Sequence, residues 1–188
     1  MTKLSLFLGL LMLSASLVVT GCKKDENPAS GGTGGGGNQT PTGAGTLSAK
    51  IDGQNWSATQ ISPILPAAIA SYQNNTLLVN GTRVDGATTS ALGFTITGVT
   101  GTGTFRLGVS PGTGGAQGTA QYVVTTAGQG QTWATLSQTG NSGTITITTF
   151  DRQNRIAAGT FSFTLERESP APTRREVTEG RFDVRWNQ

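Results

Sequence analysis

Histidine is absent from all 188 residues, and cysteine occurs once, as Cys22. The missing imidazole removes Ser-His-Asp and Cys-His nucleophile pairs and histidine-ligated zinc. A single thiol excludes an intramolecular disulfide. Charge is scarce at 12% of residues, and no Asp-x-Asp-x-Asp-Gly loop offers a calcium site. Gly101-Thr102-Gly103 and Gly112-Thr113-Gly114-Gly115 lack the lysine and helix start of a phosphate loop, so they read as turns. A helical period is missing from the whole of residues 46–188. A glycosidase-type carboxylate pair would have to come from Asp52, Asp85, Asp151, Glu166, Glu168, Glu176, Glu179 and Asp183, most of them at turns or on outward faces. The chain offers no catalytic residues and no metal set, and it reads as a non-enzyme.

What is present begins with an export-signal pattern over residues 1–21. Lys3 gives the positive start, Leu4 to Val19 the apolar run, and Thr20-Gly21 the small-residue cleavage site. As a helix that run would span ~24 Å, short of the ~30 Å hydrocarbon core, so cleavage is a better reading than a spanning anchor. Removing residues 1–21 takes away Lys3 alone among the charges and leaves 12 basic against 10 acidic residues. A net +2 does not argue for nucleic acid or an acidic partner.

Val19-Thr20-Gly21-Cys22 resembles the lipobox of bacterial lipoproteins, whose cysteine is acylated and becomes the first residue of the mature chain. The resemblance implies a covalent lipid on Cys22, no other cofactor, and a membrane as partner through that lipid. One acyl chain holds marginally and several hold firmly. The competing reading is an ordinary secretory signal with a chance cysteine; Cys22 being the only cysteine, at the end of the apolar run, favours acylation. Lys23-Lys24-Asp25-Glu26 follows. Lys24, Asp25 and Glu26 are similar to the surface-export signal that follows the lipidated cysteine in Bacteroidota, with a short solvated charge run as the bland alternative. The implied location is the outer membrane, exposed at the cell surface, with its periplasmic face as the alternative.

Residues 22–45 read as lipidated cysteine plus disordered Gly-rich tether, because Asn27 to Gly45 has almost nothing to bury. A flexible chain of that length reaches ~27 Å. Residues 46–188 form one all-β domain, long enough to bury roughly two-thirds of its unfolded surface. Short runs of two-residue alternation are separated by Gly, Asn, Asp or Pro. Asp52-Gly53, Asn74-Asn75, Asn80-Gly81, Asp85-Gly86 and Ala127 to Gly130 read as turns, and Ser110 to Gly118 as a long loop. Pro63 and Pro66 forbid a central strand between Ile61 and Pro66. The parity change from Ile145 and Ile147 to Phe150 predicts a bulge near Thr148-Thr149. Alternation through Ala157–Leu165 and Phe182–Trp186 predicts a closing three-stranded meander. The expected architecture is an antiparallel β-sandwich of about 8–10 strands, with an up-and-down, calycin/lipocalin-like barrel as the alternative.

Of the domain's 18 charged residues, 13 lie from Asp151 onward. Glu166 or Glu168 facing Arg181 or Arg185 across strands is their expected use. Leu47 through Trp56, with its Asp-Gly-x-x-Trp opening, Gly103 to Gly108, Gly159 to Phe163 and Val177 to Val184 resemble an uncharacterised family of Bacteroidota β-rich envelope lipoproteins, over most of residues 46–186. The resemblance implies the fold class and location and carries no catalytic residues. Among the aromatics, Trp56, Trp133 and Tyr122 are the candidates for ligand contact, Trp56 beside a turn and Trp133 after a Gly-rich loop. Core packing is the commoner fate of aromatics in a small β domain. The leading expectation is a non-enzymatic, lipid-anchored, monomeric binding module for glycan or an envelope protein. A lipocalin-like carrier of a small apolar molecule comes second and a structural envelope component third.

Overall fold

The computed structural model describes residues 40–108, 117–135, 142–167 and 172–187. Cys22, Lys24, Asp25, Glu26, the export-signal pattern, most of the tether and Glu168 lie outside them. All regular structure among the described residues is strand. The strands are β1 (Thr46–Ile51), β2 (Gln54–Ser57), β3 (Ala68–Gln73), β4 (Thr76–Asp85), β5 (Thr88–Ile96) and β6 (Gly103–Leu107). β7 (Gln117–Thr126), β8 (Gln129–Ala134), β9 (Gly143–Asp151), β10 (Ile156–Arg167) and β11 (Thr173–Asn187) complete the set. They form one sheet in the order β2-β1-β11-β3-β4-β5-β7-β6-β9-β10-β8. β10 also pairs with β11, and β7 with β8, so the sheet folds back on itself into a sandwich-like all-β body.

Two features differ from expectation. There are eleven strands, one of which, β2, turns a single side chain, Trp56, inward and so has no alternation to read. The sheet is also mixed. β11 runs parallel to β3 at Trp186↔Ala70, and β6 runs parallel to β7 at Leu107↔Gly118. Periodicity identifies strands but not which distant strands become neighbours, so these short parallel joints were invisible.

Turn chemistry accounts for the hairpins. Asp52 and Gly53, Asn74 and Asn75, and Ala127 and Gly128 take positive φ as adjacent pairs, the requirement of the type I′ turn that matches strand twist. Gln129 and Gly130 already belong to β8, and Gln117 and Gly118 to β7. Asn80-Gly81 is not a turn. Asn80 sits inside β4, opposite Ile69 of β3 and Gly93 of β5, and two flanking ladders outweigh the local preference. The bulge falls at Thr148: Ala158 faces Thr149 while Gly159 faces Ile147, which leaves Thr148 unopposed. That extra residue lets Ile145, Ile147 and Phe150 all turn toward the core.

The meander of β9, β10 and β11 carries the centre of the core. Phe161, Phe163, Phe182, Val184 and Trp186 are buried while Arg181 and Arg185 are exposed. Phe94 of β5 meets Phe161 and Phe182 at ring-centre distances of 5.6 and 5.3 Å. Trp186 stacks on Phe150 at 4.9 Å and packs against Tyr72. Such pairs add roughly 0.5–1.5 kcal/mol beyond area burial. The expected charge pairing is corrected: Glu166 stands opposite Arg174, whereas Arg181 faces Thr160 and Arg185 faces Ile156. The register of β10 against β11 shifts the partners away from the residues alternation alone would match. The described body also begins before Thr46. The Asp183 carboxylate accepts the N–H groups of Thr42 and Gly43 at 3.0 and 2.7 Å, and Gly45 donates to the Asp183 carbonyl.

Candidate ligand-binding groove

The outer face of β4, β5, β7 and β8 sets amides and hydroxyls beside the exposed Leu78, an arrangement built by register. One cross-strand row runs Ile69, Asn80, Gly93, Gln121, Ala134. The next runs Ser71, Leu78, Thr95, Thr119. Gly93 is the only position in these rows without a side chain, so it leaves a hollow between Asn80 and Gln121. The hollow is the floor of a groove of about 290 Å³ whose rim includes Leu78, Thr95, Thr119 and Thr135. A Cβ at Gly93 would come to 3.1 Å from the Val79 carbonyl oxygen and 3.4 Å from the Asn80 amide carbon. Glycine inside a strand costs about 0.5–1 kcal/mol relative to alanine and often marks close approach by a ligand or another backbone. Thr135 closes one end, its N–H donating to the Ala120 carbonyl and its hydroxyl accepting from the Ala120 N–H.

No lining residue is charged. Asn80 and Gln121 each bring a carbonyl acceptor and an NH₂ donor, and each threonine hydroxyl serves as either. The groove can therefore exchange hydrogen bonds with a neutral, hydroxyl-rich ligand. It holds no carboxylate and no base, so it has nothing with which to move a proton.

The described carboxylates lie elsewhere, and Asp52, Asp85, Asp151, Glu179 and Asp183 are engaged in structural work. Burial pushes the Asp52 carboxyl up, but the Arg175 guanidinium and the Glu176 N–H outweigh it and hold Asp52 below the usual range. The Asn154 backbone N–H, then its side-chain amide, hold Asp151 low as well. Glu179 pairs with Lys50 at 2.7 Å and Asp85 with Arg83 at 3.0 Å, both at the surface. Among the described residues no group of three or more His, Cys, Asp or Glu side chains could hold a metal ion. No described helix is long and apolar enough to cross a membrane.

The aromatics singled out from the sequence are not at the groove. Trp56 is 4% exposed, and its indole N–H donates to the buried Ser90 hydroxyl at 2.8 Å. Trp133 is 2% exposed, donates to the Thr173 hydroxyl at 2.9 Å, and lies under the Arg175 and Arg167 guanidiniums, 4.7 and 4.9 Å from the ring centre. Tyr122 is half-buried and packs on Trp133 at 6.0 Å. The structure brings Tyr122 and Trp133 together and leaves Trp56 apart, each in contact with the core. The groove residues themselves were not singled out. Their one visible signal was Gly93, a gap in an outward row that otherwise carries threonine, and Asn80 was masked by reading as a turn.

One family model covers residues 44–183, that of a domain of unknown function (DUF6252). No curated protein and no solved structure matches the chain.

Proposed function

We propose that this chain, which belongs to the DUF6252 family, is a non-enzymatic, lipid-anchored binding module of the outer envelope that takes a neutral glycan in the groove over Gly93. The hollow between Asn80 and Gln121 carries this reading. A side chain has been given up in mid-strand, and what surrounds the space is uncharged and rich in paired donors and acceptors. An envelope protein is the other ligand class for the same surface. The carrier reading is weaker, because aromatic rings of β3, β5, β9, β10 and β11 meet across the interior where a carried molecule would have to sit.

Location rests on the sequence. Val19-Thr20-Gly21-Cys22 supports acylation of Cys22 in the manner of bacterial lipoproteins, and Lys24, Asp25 and Glu26 support export to the cell surface as in Bacteroidota. Replacing Cys22→Ala should move the protein out of the membrane fraction. Protease shaving of intact cells should remove the domain, while protection equal to that of a periplasmic control would place it on the inner side.

The ligand test is a glycan array probed with the mature chain carrying Cys22→Ala, beside the same chain with Gly93→Val added. The valine fills the hollow and should abolish the array signal. Because its Cβ would meet the Val79 carbonyl oxygen at 3.1 Å, Gln121→Ala, on an exposed side chain, is the companion variant that should lower the signal at unchanged fold. Signal that survives Gly93→Val, or an array with no neutral glycan bound, defeats the groove assignment.

A further inference from the structure

The link between β2 and β3 contains an anomaly that ligand binding does not use. Ser62 and Leu65 pair across a turn whose central residues are Pro63 and Ile64, closed by the Leu65 N–H to the Ser62 carbonyl at 3.2 Å. The second central position of a turn normally holds Gly, Asn, Asp or Ser. Here it holds isoleucine, 86% exposed, with Ile61 64% and Leu65 50% exposed beside it. Proline and the turn hydrogen bond hold this apolar knob in shape before any contact, which lowers the ordering cost of docking.

Three observations favour a lipid surface as its occupant. First, residues 54–82 contain no charged side chain, so the knob's own segment carries no charge into an apolar boundary. Second, the exposed side chains are aliphatic, whereas protein hot spots favour Trp, Tyr and Arg. Third, the knob lies beside the N-terminal stretch of the described body. Pro66 packs against Gly45, and the Ala68 N–H donates to the Gly45 carbonyl at 2.8 Å. Cys22 lies 18 residues before Thr40, the first described residue.

We infer that Ile61, Ile64 and Leu65 insert into the acyl boundary of the bilayer as a second, shallow contact beside the lipid on Cys22. This rests on the anchor reading of Cys22. A lipid on Cys22 would raise the knob's effective concentration at the bilayer, so insertion that is weak in solution becomes effective. The contact would fix which face of the domain looks away from the membrane.

The test separates the two membrane contacts. The mature chain carrying Cys22→Ala, and therefore no acyl group, is mixed with phosphatidylethanolamine–phosphatidylglycerol vesicles. A second form adds Ile61→Ser, Ile64→Ser and Leu65→Ser, changes on exposed side chains that should leave the urea midpoint in place. Cosedimentation should fall by about tenfold with the three serines. An added Ile64→Trp indole should be quenched by bromine on the acyl chains. Equal cosedimentation of both forms, or no quenching, overturns the inference even if mass spectrometry finds native Cys22 acylated. Quenching together with an unmodified native Cys22 upholds the inference and removes the anchor reading instead. If the serines leave vesicle binding unchanged but abolish capture of an envelope protein, the knob is a protein contact and the inference falls.

Discussion

Ser90→Ala tests whether Trp56 is a core residue held by one hydrogen bond. The indole N–H of Trp56 has the Ser90 hydroxyl as its partner at 2.8 Å, and Ser90 is itself buried. Deleting the hydroxyl orphans a buried donor, which costs about 1–3 kcal/mol. The void left is one oxygen in size and adds at most about 0.5 kcal/mol. A loss of about 2 kcal/mol is therefore expected. With a urea slope of roughly 1–3 kcal/mol/M, the unfolding midpoint should fall by about 1 M at unchanged slope. Trp56→Phe alone should cost a similar amount by stranding the hydroxyl and shrinking the side chain. The double variant should be more stable than the sum of the two by about 1 kcal/mol, since the pair couples directly. Urea unfolding followed by far-ultraviolet circular dichroism reads all four proteins. A midpoint shift below about 0.2 M for Ser90→Ala, or strict additivity in the double variant, would refute the reasoning.

Three more outcomes follow from the same structure. Deleting Thr148 removes the bulge and brings Phe150 to two residues after Ile147, so a regular β9 still turns Ile145, Ile147 and Phe150 toward the core; a cooperative transition should survive in thermal unfolding. Gly180 lies under the Phe161 ring, where a Cβ would overlap the aromatic carbons, so Gly180→Ala should destabilise by about 1–3 kcal/mol in urea titration. Asp52 has a folded-state pKa below its ordinary value, so its contribution is complete above that ordinary value near pH 4 and lost as pH falls through the lowered one. Asp52→Asn should thus be less stable than the parent at pH 7, with the gap closing as the pH falls below about 4; a gap that stays constant on acidification would show that the Arg175 contact contributes nothing.

Much of the fold was legible because a half-buried strand writes its period into the sequence. Phe161, Phe163 and Leu165, with Phe182, Val184 and Trp186, alternate against polar neighbours and lie on the buried face they indicated. The Thr148 bulge was legible for the same reason: a parity change has no other economical explanation. Asn80-Gly81 misled because a dipeptide preference worth a fraction of a kilocalorie yields to the pairing of two flanking strands.

The sequence by itself determined the strand faces, most hairpin turns, the absence of histidine chemistry and the lone thiol, because these depend on residues next to or near each other in the chain. Tertiary structure alone decided that β11 meets β3 in parallel, that Trp56 finds Ser90, and that Gly93 falls between Asn80 and Gln121. Those meetings join residues far apart in sequence. They are set by the register of strands around a shared core, which no local pattern records.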